Sequence, residues 1–274
     1  MSNTTNVSST RRLAESAIMV AIATVLSLIK LLDLPYGGSV TIACMLPIVI
    51  VAYRHGMKYG LFAGVVFGII QQVLGLHTLS YVTTWQSIVA VILLDYVIAF
   101  MVTGFGGLFR KISSQPRALL YGSLVVCALR YICHVISGAT VWAGLSIPTN
   151  AALIYSLGYN ATYMVPETIV TAVIAFYVGS VIDFREANIA RIYKKEKEGA
   201  PILKWIGGFL FAAALVFDVR MIFMHTQDAE SGEFITDGLA KVNWTLIAVV
   251  SIIAVAAAVV LFLIRTVKKA EAKG

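Results

Sequence analysis

The sequence predicts an all-α, polytopic membrane protein with a six-span body, a two-span C-terminal extension and both termini in the cytoplasm. The first observation is the composition: of 274 residues, 59% are hydrophobic and 13% charged, and the mean hydropathy is +0.87. Soluble domains are about 45–50% apolar and about 25% charged. This composition excludes a disordered chain, a collagen-like chain and a soluble α/β enzyme.

The second observation is a series of apolar segments, each near the ~20 residues that a membrane helix needs. They cover 13–32, 40–53, 58–76, 85–109, 118–143, 151–182, 203–224 and 244–265. The second is short and contains Pro47, whereas the sixth is long and contains Pro166, so we expect the sixth to begin late or to bend. Interrupted spans of this kind either line a binding site or pack as tilted helices.

The third observation is the placement of the basic residues. Seventeen of the 21 Lys and Arg residues fall before the first span, after the last span, or in alternate loops between them. The opposite loops contain only Lys241. Because cytoplasmic loops are enriched in Lys and Arg, both termini are predicted to be cytoplasmic. The net charge of +7 therefore reflects topology, and we expect no nucleic-acid partner.

These patterns divide the chain into four segments. Residues 1–10 form a polar tail that we expect to be disordered, 11–183 the six-span body, 184–202 a charged cytoplasmic linker, and 203–274 a two-span extension of unknown role. The three cysteines lie in apolar runs without metal-binding spacing, so we expect no metal site, disulfide or cofactor. The sequence has no phosphate-binding loop for ATP and no HExxH motif, which argues against an enzyme.

Two sets of small residues recur at helical spacing. Gly56, Gly60, Gly64 and Gly68 are four residues apart in the third span. They predict a ridge that lets helix backbones approach closely, either inside the bundle or against a partner. Ala17 and Ala21 have the same spacing in the first span.

Ionisable residues inside the membrane are costly and point to function or to helix pairing. Asp95 and His134 are expected at similar depth, because each lies two to three helical turns from the predicted outer end of its span. Arg130 is one turn from His134 on the same helix face. An Asp95–Arg130 ion pair would either tie two helices together or form the floor of a pocket.

Aromatic residues crowd the same level of the bundle: Tyr81, Trp85, Tyr96, Trp142, Tyr155, Tyr159 and Tyr163. Such rings either anchor the protein at the membrane interface or stack on a flat, cationic ligand. In the sixth span, the buried amide of Asn160 needs partners, which are either a neighbouring helix or a ligand. A straight helix would not place Tyr155 and Asn160 on one face.

Four stretches carry a resemblance to a known family: P35-Y-G-G-S-V, L94-D-Y-V-I-A-F, R130-Y-I-C-H-V-I-S-G-A-T-V-W and Y155-S-L-G-Y-N-A-T-Y-M-V-P. The sequence resembles the thiamine-specific substrate-binding subunit, or S-component, of energy-coupling factor vitamin transporters. The resemblance extends over roughly 10–182, which is the whole six-span body.

The resemblance implies six helices that bind one thiamine near the outer surface. Trp142 would stack on the ligand rings, and His134, Tyr155 and Asn160 would contact the ligand. Asp95 stands where the family often has a Glu that contacts the aminopyrimidine of the ligand, although the shorter Asp reaches less far. Tyr96 follows it as in the family and would also contact the ligand. The remaining correspondences are a basic residue at Arg130, an aromatic contact at Trp85, and Gly37 and Gly38 in place of a tryptophan found in some members.

The resemblance also implies partners. A surface around Ala17 and Ala21 would dock on a transmembrane coupling subunit that carries two ATPase subunits, and the whole subunit would lie among plasma-membrane lipids. The implied function is thiamine uptake. The alternatives are a proton-coupled carrier that uses Asp95, His134 and Glu167, an intramembrane hydrolase that uses His134 and Glu167, and a structural protein whose polar pairs only join helices.

Overall fold

A computed structural model describes residues 8–34, 38–82, 84–142, 149–192, 202–226 and 236–271. Within these ranges, the side chains of 141, 142, 149–151, 236 and 269–271 lie outside the description. The chain divides into two compact units, Met1–Arg191 and Ile192–Gly274. Helices dominate both, as the all-α prediction requires.

The first unit begins with helix α1, Ser9–Leu28, capped by the Ser8 side chain, which accepts a hydrogen bond from the Arg11 backbone N–H at 3.2 Å. The predicted tail of residues 1–10 lies mostly outside the described residues. One stripe of α1 is buried against the bundle, formed by Ser16, Val20, Ala23 and Ser27. This spacing of three and four residues is that of a helix with one inward face.

An antiparallel hairpin follows α1 and takes up the end of the first apolar segment and the start of the second. Strand β1, Lys30–Asp33, pairs with strand β2, Ser39–Thr41. The hairpin explains why the second apolar segment is short, because residues 40 and 41 of that segment belong to strand β2 and only Leu46–His55 form helix α2. Ten helical residues extend about 15 Å, half of the ~30 Å hydrocarbon core.

Helix α2 lies in the centre of the first unit. Every residue from Leu46 to Tyr53 is buried, which is what a helix that is apolar on all sides requires. Pro47 occupies the first turn, where its missing N–H breaks no hydrogen bond within the helix.

The glycine-rich third span forms helix α3, Met57–Leu74, and packs on helix α4, Trp85–Phe109. We call Gly60, Gly64 and Gly68 the glycine ridge. A Cβ atom at Gly68 would lie 2.7 Å from the Tyr96 carbonyl oxygen, and one at Gly64 would overlap the Phe100 carbonyl oxygen. The ridge therefore packs inside the bundle, the first of the two predicted positions.

Replacing Gly64 by Ala should lower the melting temperature of the detergent-solubilised protein. The new methyl group would meet backbone atoms of α4, and overpacking of this kind costs about 1–3 kcal/mol. Gly208→Ala is the matched control, because nothing lies within 4 Å of the added Cβ and Ala favours a helix over Gly. Equal melting of the Gly64 variant and the wild type would contradict the packing described for the ridge.

Helix α5, Gln115–Ser137, continues as a π-helical turn, Gly138–Trp142, and packs along helix α6, Thr149–Val181. The sixth span was expected to begin late or to bend. It does not begin late: α6 is a single helix of 33 residues that contains Pro166. Neighbouring helices can compensate the hydrogen bond that an internal proline removes.

Six described helical stretches are long and apolar enough to cross a membrane: Met57–Leu74, Trp85–Phe109, Gln115–Thr140, Ala152–Val181, Ile202–Thr226 and Trp244–Lys268. These helices confirm a multi-pass membrane protein. Helix α1 has sufficient length but carries Arg11, Arg12 and Glu15 in its first two turns.

Arginines bind the segment that follows α6 to the rest of the first unit. Arg54 donates to the carbonyl oxygens of Phe184 at 2.8 Å and Ala187 at 2.6 Å, and also to Glu15 at 2.7 Å. Arg185 donates to the Tyr53 hydroxyl and to two carbonyl oxygens before α5. Two short strands, β3 (Ile182–Asp183) and β4 (Ala190–Arg191), pair across this segment.

Truncation experiments should show how much these arginine contacts contribute to the thermal stability of the first unit. A chain ending at Arg191 should retain the melting temperature of the first unit, whereas a chain ending at Asp183 should melt several degrees lower. The shorter chain leaves the guanidinium of Arg54, which is largely buried, without its carbonyl partners, and hydrogen bonds to charged groups contribute about 1.5–3 kcal/mol. Identical melting curves for the two truncations would contradict this role.

The second unit is a hairpin of helix α7, Ile202–Thr226, and helix α8, Trp244–Glu271. Gly207 lies beside Ala258, and the Asp218 carboxylate accepts a hydrogen bond from Ser251. From the first pair to the second, the residue number rises in α7 and falls in α8, so the helices are antiparallel. Most of the remaining surface of α8 is exposed and apolar.

Candidate substrate-binding site

A cluster of polar side chains joins α4 to α5 inside the first unit. Asp95 lies 2.8 Å from Nδ1 of His134 through one carboxylate oxygen and accepts a 2.6 Å hydrogen bond from the Ser137 hydroxyl through the other. His134 and Ser137 are buried, and 15% of the Asp95 side chain is exposed. The equal depth predicted for Asp95 and His134 is thus realised as direct contact, and Ser137 is a partner that sequence reasoning missed.

The backbone of α4 changes where it presents this acid. Residues Ile92–Ile98 form a π-helical stretch that includes Asp95 and Tyr96. A π-helical turn contains an extra residue, which alters the direction of the side chains that follow, and such turns are frequent at functional sites. Asp95 faces α5, while the Tyr96 hydroxyl forms a 2.9 Å hydrogen bond with Thr78 near the end of α3.

Arg130 contacts the cluster through His134. We expected an Asp95–Arg130 pair; the structure instead places His134 between them, with its Nε2 atom 3.4 Å from the guanidinium. The helical spacing of four residues explains this, because it stacks Arg130 and His134 on one face of α5. The guanidinium also lies 2.7 Å from the Met45 sulfur and 4.2 Å from the centre of the Phe100 ring.

We use the name polar cluster for Asp95, Arg130, His134 and Ser137. An ionised carboxylate can only accept and a guanidinium can only donate, so hydrogen bonds to both neighbours require a His134 tautomer with the ring proton on Nδ1 and an acceptor at Nε2. The acid and the arginine are then joined through a neutral imidazole. This arrangement holds one negative and one positive charge apart while both remain hydrogen-bonded.

Asn160 connects α6 to the polar cluster. Its amide nitrogen donates to the carbonyl oxygens of His134 at 3.2 Å and Ser156 at 2.9 Å, and its amide oxygen accepts from the Tyr163 hydroxyl at 2.5 Å. The Asn160 side chain therefore joins α6 to α5, which is the helix-to-helix role left open above. A ligand contact would need one of these bonds to be shared or exchanged.

Three tyrosines line α6 beside this amide. Tyr155 stacks on Tyr159 with ring centres 6.1 Å apart, and Tyr159 meets Tyr163 edge-on at 6.0 Å. The four-residue spacing places them on one stripe, and Tyr163 reaches within 5.9 Å of the His134 ring. Tyr155 and Asn160 both lie within α6 and are about 140° apart around it, so they do not share one face, as the sequence predicted.

The β1–β2 hairpin lies against this stripe. A Cβ atom at Gly38 would lie 2.7 Å from the Tyr163 ring and 3.3 Å from the Tyr159 hydroxyl, so only glycine fits this close approach. Glu167, which is buried, accepts hydrogen bonds from the backbone and the hydroxyl of Thr41, at 2.6 and 2.8 Å. Glu167 therefore fixes the hairpin and is not a member of the polar cluster.

Two predicted ligand contacts, Trp142 and Trp85, are not placed in the site by the described residues. The Trp142 side chain lies outside the described residues, as does Gly37. Trp85, at the start of α4, is 71% exposed. No group of three or more potential metal ligands occurs among the residues that the structure describes.

Comparisons with known proteins decide the family. A family model described as thiamine transporter protein (Thia_YuaJ) matches residues 13–183. The chain belongs to this family. The thiamine transporter ThiT of Bacillus subtilis (strain 168) is 37% identical over 179 residues, which are 60% of this chain and 87% of that protein.

Two further relatives of this thiamine transporter family were found. ThiT of Lacticaseibacillus paracasei (strain ATCC 334) is 29% identical over 58% of this chain and 82% of its own length. A solved structure of ThiT from Listeria monocytogenes has a TM-score of 0.49 and 23% identity, covering 61% of this chain and 92% of that one.

The family match contains every residue of the candidate site. It ends at residue 183, before the C-terminal hairpin of α7 and α8 begins. Several residues of the site escaped sequence reasoning, among them Thr78, Ser137 and Ser156. Ser137 had a detectable signal, because it lies three residues after His134 on the same helix face, whereas Thr78 and Ser156 became visible only through their partners in the fold.

Proposed function

We propose that this protein takes up thiamine across the plasma membrane, as a subunit that captures the vitamin outside the cell. The observation that carries the proposal is the polar cluster beside the tyrosine stripe, all of it within the segment that the thiamine transporter family matches. The relatives from two bacteria are named thiamine transporters.

The chemistry of thiamine fits this site. Its thiazolium ring is a flat cation, which aromatic faces and a carboxylate attract. Its aminopyrimidine ring presents hydrogen-bond donors and acceptors, which buried polar groups recognise. Asp95 supplies the negative charge, Tyr155, Tyr159 and Trp142 supply aromatic surface, and Tyr96 and Asn160 supply polar atoms in this proposal.

The energy for uptake is proposed to come from partners. The sequence lacks a phosphate-binding loop, so we propose docking on a transmembrane coupling subunit with two ATPases. The outward face of α1 supports this step. Ala17 and Ala21 are exposed on it, between the exposed side chains of Leu13 and Val25, while the opposite stripe is buried. Small exposed residues allow a partner helix to approach closely.

We also propose the predicted topology, with both termini cytoplasmic and residues 203–274 as an added membrane hairpin. In this topology the polar cluster and the β1–β2 hairpin lie toward the outside, where the vitamin would enter. The segment that the arginines hold, 184–188, lies at the cytoplasmic face.

Uptake of radiolabelled thiamine tests the proposal in a bacterial strain that lacks its own thiamine transporters. Cells that express this chain together with a coupling module should accumulate thiamine, and cells with the chain alone should bind it without accumulation. Accumulation without the module, abolished by a protonophore, would favour the proton-coupled carrier instead. Cells that show neither binding nor uptake would contradict the proposal.

A further inference from the structure

Glu15 is an acid of α1 whose carboxylate is shared among three basic side chains. Arg11 of the same helix lies 2.8 Å from one carboxylate oxygen, and Arg54 of α2 lies 2.7 Å from the other. Nε2 of His55, also on α2, lies 2.9 Å from the oxygen that Arg54 contacts. The side chains of Arg54 and His55 are 5% and 3% exposed. We call these four residues the Glu15 cluster, which joins α1 to α2 through largely buried charged groups.

The Glu15 cluster also reaches the segment that follows α6. Arg54 donates to the carbonyl oxygens of Phe184 at 2.8 Å and Ala187 at 2.6 Å, and Arg11 donates to the side-chain oxygen of Asn188 at 3.0 Å. The pairing of β3 with β4 closes this segment into a loop. Two helices and the loop are therefore joined at the end of the bundle that we propose to be cytoplasmic.

Along the rest of its length, α1 has weaker ties to the bundle. Its buried stripe consists of Ser16, Val20, Ala23 and Ser27, most of which are small. The two serine hydroxyls donate to carbonyl oxygens of α1 itself, and Ser27 accepts a neutral hydrogen bond from Gln71 at 2.8 Å. Burial of apolar side chains adds little inside a membrane, because lipid tails are equally apolar. Charge-assisted bonds are roughly twice as strong as neutral ones, so the Glu15 cluster is the stronger of these two polar ties.

The direction of Glu15 determines which face of α1 points away from the bundle. At 100° per residue, Ala17 lies about 200° and Ala21 about 240° around the helix from Glu15. With Glu15 held on α2, both alanines face away from α2, and both are exposed. Without the carboxylate, α1 would be free to turn or tilt, and the two alanines would no longer have a fixed direction.

We propose that Glu15 is a positioning residue for docking on the coupling subunit. By holding the cytoplasmic end of α1 against α2, it fixes the direction in which α1 presents Ala17 and Ala21 to the partner. This inference rests on the proposed function. The described side-chain partners of Glu15 lie on α1 and α2, whereas the polar cluster lies on α4 and α5. Loss of the carboxylate should therefore impair docking and leave thiamine binding intact.

Full-length Glu15→Gln tests this inference by two measurements. Calorimetric titration should give the wild-type affinity for thiamine. Binding to a purified coupling module, a transmembrane subunit with two ATPases, should be at least tenfold weaker than for the wild type. Glu186→Gln is the matched control, because its side chain is exposed and Arg54 contacts its backbone carbonyl oxygen. Undiminished docking of Glu15→Gln would overturn the proposal, as would a loss of thiamine affinity or an equal docking defect in Glu186→Gln.

A further variant separates positioning from a general loosening of α1. Gln71→Leu removes the neutral tie to Ser27, so it should lower the melting temperature while docking stays within twofold of the wild type. A docking defect as large as that of Glu15→Gln would overturn the proposal. If Glu15→Gln does not fold, Glu15→Asp shortens the side chain by one methylene and should dock at least threefold more weakly at unchanged thiamine affinity. Wild-type docking by Glu15→Asp would then overturn the proposal.

The wild type shows which of the two proposals fails. A wild-type protein that does not bind the coupling module would refute the docking step of the proposed function together with this inference. Wild-type docking with an unaffected Glu15→Gln would refute this inference alone.

Discussion

Replacing Asp95 by Asn is expected to weaken thiamine binding by at least tenfold, about 1.4 kcal/mol. The carboxylate accepts hydrogen bonds from His134 and Ser137, at 2.8 and 2.6 Å. The side-chain amide of asparagine has one acceptor oxygen, and its NH2 group would face the donor of either His134 or Ser137. It also removes the negative charge that, in the proposed function, attracts the thiamine cation. Calorimetric titration of the purified variant with thiamine measures the effect.

Two variants make this result interpretable. Asp33→Asn removes an exposed acid that pairs with Lys30 at 3.0 Å, and it should leave the affinity unchanged because exposed pairs contribute little. Asp95→Glu keeps the charge and should retain most of the binding. Full thiamine affinity in a folded Asp95→Asn variant would contradict the role of the polar cluster.

Replacing both Ala17 and Ala21 by Trp should abolish module-dependent uptake while leaving thiamine affinity unchanged. Both residues are exposed on α1, so bulky side chains fit without disturbing the bundle. Two indoles would nevertheless prevent a partner helix from approaching the α1 backbone. Binding is measured on the purified variant, and uptake is measured in cells that contain the coupling module.

Ile22→Trp provides the control on the same helix. Ile22 is exposed and lies about 100° around the helix from Ala21, away from the small-residue surface. This variant should transport thiamine normally. Wild-type uptake by the Ala17 and Ala21 double variant would refute docking through this face, and loss of binding would show that α1 supports the site itself.

Much of the site followed from residue spacing and the cost of burying polar groups. Counting turns from the span ends placed Asp95 and His134 at one depth, and the structure brings them into contact. The four-residue glycine repeat predicted close helix packing, and its partner is the backbone of α4. These inferences succeed because each depends on local helical geometry, which the sequence determines directly.

Features that depend on several elements at once could not be predicted. The π-helical stretch of α4 packs against both α3 and α5, and no residue type marks it. The partner of Arg130 was misjudged because charge favours Asp95, whereas helical spacing places His134 between them. The β1–β2 hairpin is held by a hydrogen bond from Thr41 to Glu167, which lies 126 positions further along the sequence. It therefore requires the folded bundle.

Mass spectrometry of the purified protein tests the central claim most directly. The full-length wild type, purified in mild detergent from cells grown with thiamine, should carry close to one thiamine per chain, and Asp95→Asn prepared in parallel should carry little. A wild-type protein without thiamine, or equal amounts in both preparations, would contradict the assignment of the polar cluster as the vitamin-binding site.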